Sequence, residues 1–273
     1  MTYAIILFFS LCSGIIGALV GLGGGVILVP ALLYFGISQG MIPELTPQKI
    51  VGLSVIMMIF IGLSSTLSYI KSGTVDYKSG FILFAGSIPG TFVGAWISKQ
   101  LDLPSFNLYF GLLLIVLSLI LIFKNRFKPI EWFKNHGMQI TKTDLDGKSY
   151  TYGYPIWFAF VMTFVIGMMS GMFGIGGGSM IVPMLVILFL FPPHIAVATS
   201  MFLVFLTSLV NSASHIYFGH VPWHLVLAVI PGAYIGAKVG ATWNKRLGSD
   251  TVIFILRIML LILGIRSIVV GLI

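Results

Sequence analysis

A glycine-rich cassette occurs twice in the chain, each time inside an apolar stretch where consecutive glycines should break a helix. The first copy runs from Gly14 to Pro30 and reads GIIGALVGLGGGVILVP; the second runs from Gly167 to Pro183 and reads GMMSGMFGIGGGSMIVP. Gly14, Gly21, Gly23, Gly24, Gly25 and Pro30 each recur 153 residues later. Glycine inside a helix costs about 1 kcal/mol relative to alanine. Non-helical backbone at membrane depth is tolerated only where it is buried in protein or lines a watery cavity. Paired broken helices at corresponding places in two halves of a membrane chain point to a transporter binding site.

The surroundings of the cassettes require lipid as solvent. Of 273 residues, 58% are hydrophobic and 8% charged, against about 25% charged in an ordinary soluble domain. Apolar segments long enough to cross a bilayer core of about 30 Å lie near 3–36, 49–70, 78–98, 104–124, 155–191, 194–217, 222–243 and 251–272. The two longest contain the cassettes. The acids Glu44, Asp76, Asp102, Glu131, Asp144, Asp146 and Asp250 fall between these segments or at their edges. The net charge of +8 reads as membrane orientation; without a basic stripe on a polar domain it gives no case for nucleic-acid binding. Cys12 is the single cysteine, so no intramolecular disulfide is expected. Residues 3–20 lack a basic leader and a small-residue cleavage site, and read as mature protein.

The duplication covers the whole chain. Pro47–Ser54 resembles Pro193–Ser200, Ser65–Ser68 aligns with Asn211–Ser214, Gly73 with Gly219, and Ile88–Ala95 with Ile230–Ala237. The expected fold is an all-α polytopic membrane protein with two four-segment repeats, residues 1–123 and 154–273, joined by a polar linker at 124–153. If each cassette segment crosses straight, the repeats share one orientation and the loop Lys and Arg divide 8 to 4 between the two sides. If each folds back at its glycines, the repeats are inverted and the division is 10 to 2, which fits the positive-inside rule better. That arrangement places the central loop in the cytoplasm of a cell whose inner (plasma) membrane holds the chain.

Unwinding at Gly21, Gly23, Gly24 and Gly25, and at Gly174, Gly176, Gly177 and Gly178, frees backbone N–H groups. The helices restarting near Val26 and Ser179 would aim their N-termini, and their dipoles, at a small anion. The alternative is close helix packing, since Gly14, Gly17, Gly21 and Gly25 also make a small-residue face. Hydroxyl and amide groups at membrane depth are donors without negative charge: Ser54 and Ser65 in the second segment, Ser200 and Asn211 in the sixth. Interhelical bonding or back-bonding to the preceding turn is the competing role for each serine. Asn211 with Ser65 is the favoured pair after the glycines.

No acid sits at a clear mid-membrane position, which argues against a carboxylate relay or a cation as substrate. Arg257 is a candidate charge partner for substrate or lipid headgroup, with snorkelling as the other reading. His215 is a candidate proton switch, which makes a proton a candidate coupling partner. Histidines 215, 220 and 224 do not complete a metal set, because no cysteine or acid joins them. No metal, cofactor or nucleotide is expected, since no Walker motif is present. An intramembrane enzyme using Ser179 and His215 is disfavoured, because no orienting acid is evident and Val26 stands where Ser179 does in the other copy. Oligomeric state is not encoded legibly.

Two G-x-G-G-G-x(4)-P cassettes, about eight apolar segments and a central polar loop resemble the TauE/SafE sulfite exporter family over essentially the whole chain. The glycines that match its motif are Gly21, Gly23, Gly24 and Gly25 with Gly174, Gly176, Gly177 and Gly178. The resemblance implies a plasma-membrane carrier for sulfur-containing anions such as sulfite, sulfoacetate or other organosulfonates. An anion channel, or a carrier of another small organic anion, remains open.

Overall fold

A computed structural model describes residues 2–123, 137–143, 149–244 and 250–272. The charged linker residues Lys124, Arg126, Lys128, Glu131, Lys134, Asp144, Asp146 and Lys148, with Lys245 and Arg246, lie outside the described residues. The first half contains α1 (Thr2–Val20), α2 (Gly25–Leu32, extended by a π-helical turn at Leu33–Ser38), α3 (Pro47–Ile70), α4 (Tyr77–Gln100) and α5 (Leu103–Phe123). A hairpin of β1 (Met138–Thr143) and β2 (Ser149–Tyr154) follows. The second half contains α6 (Ile156–Phe173), α7 (Gly178–Pro183, with a π turn at Met184–Leu188), α8 (Pro193–Tyr217), α9 (Trp223–Asn244) and α10 (Asp250–Leu272).

Local chemistry sets the helix starts. Pro47 and Pro193 occupy the first turns of α3 and α8, where a missing N–H costs nothing. Thr46 caps α3 by accepting from Lys49 N, and Asp76 caps α4 by accepting from Ser79 N. Seven helices are long and apolar enough to span a membrane among the described residues. Their outer faces expose Trp96, Trp157, Trp223 and Leu227, an apolar surface that water would not tolerate. The chain is a multi-pass membrane protein.

The long helices surround a buried pair. In α3 and α8, 78% and 72% of the most apolar window is buried in protein. These two helices pack on each other, α1 lies along α9, α4 along α6, and α5 along α10. Small residues set the close pairs. A Cβ on Gly232, Gly236 or Gly240 of α9 would meet backbone oxygens of α1 at Leu7, Leu11 and Ile15. On the other side, Gly90 and Gly94 of α4 face backbone oxygens of Phe164 and Met168 on α6 in the same way. Such approach replaces the hydrophobic drive that lipid cannot supply.

Both cassette segments turn back. Gly24 comes against the carbonyl of Ser13 and the backbone near Gly17, and Phe35 stacks on Phe9 with ring centroids 5.2 Å apart. In the second half Gly177 lies against Ile166, Phe189 stacks on Tyr154 at 4.7 Å, and Gly153 N donates to Phe189 O at 3.3 Å.

Beside the helices, which agree with the all-α expectation, the hairpin lies in and just beyond the 124–153 segment. Tyr152 and Tyr154 are fully buried against Phe189 and Phe191. Period-two alternation in Ser149–Tyr154 places them on one face. Asp76 is buried beneath them: its carboxylate accepts from Ser79 Oγ at 2.6 Å and Tyr152 OH at 2.9 Å, and its N–H donates to Thr199 Oγ1 at 3.0 Å. Burial and the Asp76 carboxylate push the Tyr152 phenol well above its ordinary range, so it stays a donor. Lys142 Nζ donates to the Val75 carbonyl, tying hairpin and α3–α4 loop to one end of the molecule.

Candidate functional site at the crossed glycine turns

Each cassette is non-helical for a few residues. Gly21, Gly23 and Gly24 have φ of 80°, 85° and 80°; the aligned Gly174, Gly176 and Gly177 have φ of 67°, 79° and 63°. These are left-handed conformations that disfavour any residue with a Cβ. The helix ends and restarts are bonded locally: Leu22 N donates to Gly17 O at 2.9 Å, Gly174 N to Ser170 O at 2.8 Å, and Ile27 N and Ile181 N to the carbonyls of Gly24 and Gly177. The small-residue packing role applies to the helical ends of the cassettes, with Gly14 on the α9 backbone and Gly167 and Gly171 on the α4 backbone, whereas Gly21 lies in the turn.

The two turns touch. A Cβ on Gly25 would lie 2.1 Å from Gly174 O, and one on Gly178 would lie 2.5 Å from Gly21 O. Met58 Sδ sits against both Gly23 and Gly176. Serines fasten the turns crosswise. Ser54 Oγ of α3 donates to Gly174 O at 2.7 Å, and Ser200 Oγ of α8 donates to Gly21 O at 3.1 Å. Each serine thus holds the turn belonging to the opposite half. Both are fully buried. Each lies 7 residues into its helix, or roughly 10 Å from the helix start.

A second pair of side chains caps the two broken helices. Tyr69 OH donates to Ala18 O at 3.1 Å, and His215 Nε2 meets Gly171 O at 2.9 Å. Both carbonyls fall in a last helical turn, where intrahelical partners are missing. Tyr69 carries no local signal of this role, which shows only when it is set beside His215, 146 residues on.

Asn211 Nδ2 donates to Ser170 O at 3.2 Å, while its Oδ1 is buried without a partner among the described residues. Ser65 Oγ and Ser179 Oγ are likewise buried and unpartnered. A small void beside Gly177 is bordered by Ser87, Thr163, Ser170 and Thr207 together with Ile166, Ile181 and Leu203, and the surface that faces it is apolar. Mid-helix hydroxyl residues are common, and only the fold shows that Ser87, Thr163 and Ser170 border one space. Their hydroxyls also back-bond, as Thr163 does to Ala159 O and Thr207 to Leu203 O.

Arg257 belongs to the α5–α10 pair, where its carbonyl accepts from Ser118 Oγ at 2.9 Å. Its Nε is buried without a partner among the described residues. His215 has both ring nitrogens engaged, Nε2 on Gly171 O and Nδ1 3.0 Å from His220 Nδ1, which leaves neither for Ser179. Among the described residues no group of three His, Cys, Asp or Glu is placed to hold a metal ion.

Seven span-length helices among the described residues, two of them forming the buried pair α3 and α8, with two glycine turns meeting beside that pair, define a polytopic membrane protein of transporter type. Sequence comparison matches residues 6–267 to the sulfite exporter TauE/SafE family, and the chain belongs to that family of membrane transporters. It is 45% identical over 272 residues to the probable membrane transporter protein YunE of Bacillus subtilis, covering 99% of both chains. It is 28% identical to the probable membrane transporter protein ORF9 of a Sinorhizobium species, covering 93% of this chain and 87% of that one. To the probable membrane transporter protein MJ0441 of Methanocaldococcus jannaschii it is also 28% identical, covering 90% and 86%. No solved structure matches the chain.

Proposed function

We propose that the chain is a secondary carrier that moves a small sulfur-containing anion, such as sulfite, sulfoacetate or another organosulfonate, across the cell inner membrane by alternating access. The observation that carries this reading is the crossing of the two glycine turns. Their carbonyls at Gly21 and Gly174 are occupied by Ser200 and Ser54, whereas the first turn of a restarted helix has N–H groups with no helical partner. An excess of donors over acceptors, in a site with no carboxylate among the described residues, favours an anion. Gly21, Gly23, Gly24, Gly25, Gly174, Gly176, Gly177 and Gly178 would form the cradle. Ser179, Ser65 and Asn211 would supply further donors.

The reading includes two inverted repeats, 1–123 and 154–273, with the intervening segment cytoplasmic. Three features support it. Both cassettes turn back, the hairpin lies with the α3–α4 loop through Lys142 and Val75, and the α8–α9 loop lies at the other end, with Phe218 under the Lys99 ammonium at 5.4 Å. One half, or a bundle drawn from both, would rock against the rest about the crossing. The family's name, sulfite exporter TauE/SafE, supports the sulfur oxyanion. A potential negative inside aids anion export by about 2.3 kcal/mol per charge per 100 mV, so export requires no coupling ion.

The test is flux in proteoliposomes with sulfite, sulfate, thiosulfate, sulfoacetate and taurine, each against protein-free vesicles. Saturable counterflow of at least one sulfur anion is expected. Single-channel currents would move the reading to a channel. Transport of only non-sulfur organic anions would refute the substrate assignment.

A further inference from the structure

We propose that His215 and His220 form one proton-binding site, through which protonation is linked to the anchorage of α6 at its glycine turn and hence to anion movement; the link to flux rests on the carrier reading above. Tyr69 and His215 stand at aligned positions and perform the same capping, one on Ala18 O and one on Gly171 O. A phenol holds its proton throughout the physiological range, whereas imidazole gains and loses one within it. One broken helix is therefore held by an inert cap and the other by a titratable one. Only the titratable cap carries a second contact, to His220 in the loop between α8 and α9.

The hydrogen-bond roles follow from the partners. The Gly171 carbonyl only accepts, so His215 Nε2 carries a proton. In a neutral ring His215 Nδ1 is then an acceptor, and His220 Nδ1, 3.0 Å away, must donate to it. The neutral pair is left with one basic site, Nε2 of His220, on a ring less buried than that of His215. A proton added there gives a singly charged pair in which every existing bond keeps its direction. Moving that charge inward, by transfer of the shared Nδ1 proton, strengthens the grip on Gly171 O, because a charged donor bonds more strongly than a neutral one.

Among the described residues the surroundings supply no countercharge. From α4 the facing charged group is Lys99, which with burial holds His220 below the ordinary imidazole range, burial being the larger cause. From α6 the facing group is the Gly171 carbonyl. From α3, Gly52 lies against the backbone of His220. Glu44 is bonded to His224 Nε2 at 2.8 Å, its backbone carbonyl takes Lys49 Nζ, and Asp102 accepts from Ser105 N. The charged pair thus gains most when an anion approaches the turn that His215 holds, so proton and anion would bind cooperatively.

Two measurements decide this. Side-chain nitrogen NMR of the whole chain in nanodiscs, without substrate, follows all five histidines from pH 8 to pH 5. The expected result is that His215 and His220 shift together in one event that His220→Ala abolishes; independent titration of the two rings overturns the site. In proteoliposomes with an internal pH dye, wild-type flux of the transported anion should rise with acidity on the His220 side, by at most about tenfold per unit for one proton. His215→Tyr, which copies the Tyr69 cap, should fold and lose both the pH slope and the dye signal. Retention of both signals in His215→Tyr and His220→Ala overturns the coupling. If the wild type moves no anion tested, the carrier reading fails while the NMR result still decides whether the proton site exists.

Discussion

Replacing Gly25 by alanine isolates the crossing of the two turns from every other property of the cassettes. Gly25 does not require a positive φ, unlike Gly21, Gly23 and Gly24, so alanine brings no backbone penalty there. Its Cβ would lie 2.1 Å from Gly174 O and 3.0 Å from Ile175 Cα. An ordinary carbon–oxygen contact needs about 1 Å more than that first distance. The obstacle is buried backbone already fixed by Ser54, so the two turns must separate. Overpacking of this kind costs about 1–3 kcal/mol, and a displacement of about 1 Å at a binding site can cost about 100-fold in rate. Gly177→Ala is the matched control. There φ is +63° and the nearest atoms are side-chain methyls of Ile166 and Ile181 at 3.0 and 3.3 Å, not backbone of the other turn, so strain of about 1–2 kcal/mol arises without separation of the turns. The assay is flux per folded molecule, with thermal unfolding in detergent measured beside it. Gly25→Ala should lose about two orders of magnitude in flux, and Gly177→Ala distinctly less at similar loss of stability. Flux within twofold of wild type for a folded Gly25→Ala would show that the contact between the turns is not part of the site.

Ser54→Ala should destabilise the fold by about 1 kcal/mol, near the range for interhelical bonds in membranes, and Ser200→Ala by less because its bond is longer; a double-mutant cycle read by thermal unfolding should show coupling if the turns move together. Asn211→Leu removes the donor to Ser170 O and should raise KM several-fold with little change in fold, so an unchanged KM removes Asn211 from the site. In a Cys12→Ser background, Thr141→Cys on the hairpin and His224→Cys at the start of α9 should label from opposite faces of the membrane. Labelling of both from one face refutes the inverted arrangement.

Much of the architecture could be read in the chain because its signals are local or duplicated. The helical spans follow from apolar length, and the turns from glycine triplets that recur at one offset. The hairpin was missed because its two burying residues, Tyr152 and Tyr154, stand in a short alternating run inside a polar segment that composition marks as linker. The void beside Gly177 draws on α4, α6, α7 and α8 at once. Nothing in any one of those helices distinguishes Ser87 or Thr163 from a serine or threonine that only back-bonds. Asp76 shows the same limit from the other direction. Its place between segments suggests a solvent-facing acid, yet Tyr152, 76 residues away, buries it. Long-range partners of this kind have no periodicity to betray them.

The sign of the candidate site follows from which polar groups the fold leaves over. A broken helix exposes carbonyls at its end and N–H groups at its restart in equal measure, so a glycine turn by itself has no preferred ligand charge. Here the carbonyl side is closed off by named donors: Tyr69 on Ala18, His215 on Gly171, Ser200 on Gly21 and Ser54 on Gly174. No side chain is seen to perform the reciprocal service for the restarts, since neither Gly24 nor Gly177 offers a cap. Four oxygen acceptors are thereby removed from the centre; at the restarts Ile27, Gly178 and Met180 donate to Gly24, Gly176 and Gly177, which leaves the N–H groups of Gly25, Val26 and Ser179. Asp76, the buried acid among the described residues, is held by donors of its own at the hairpin end. The resulting bias toward negative charge does not depend on any cationic side chain. A substitution that frees one carbonyl should therefore weaken anion binding even when it leaves the N–H groups untouched. Ser54→Ala is that substitution, and an unaltered anion affinity in a folded Ser54→Ala protein would show that the charge preference arises elsewhere.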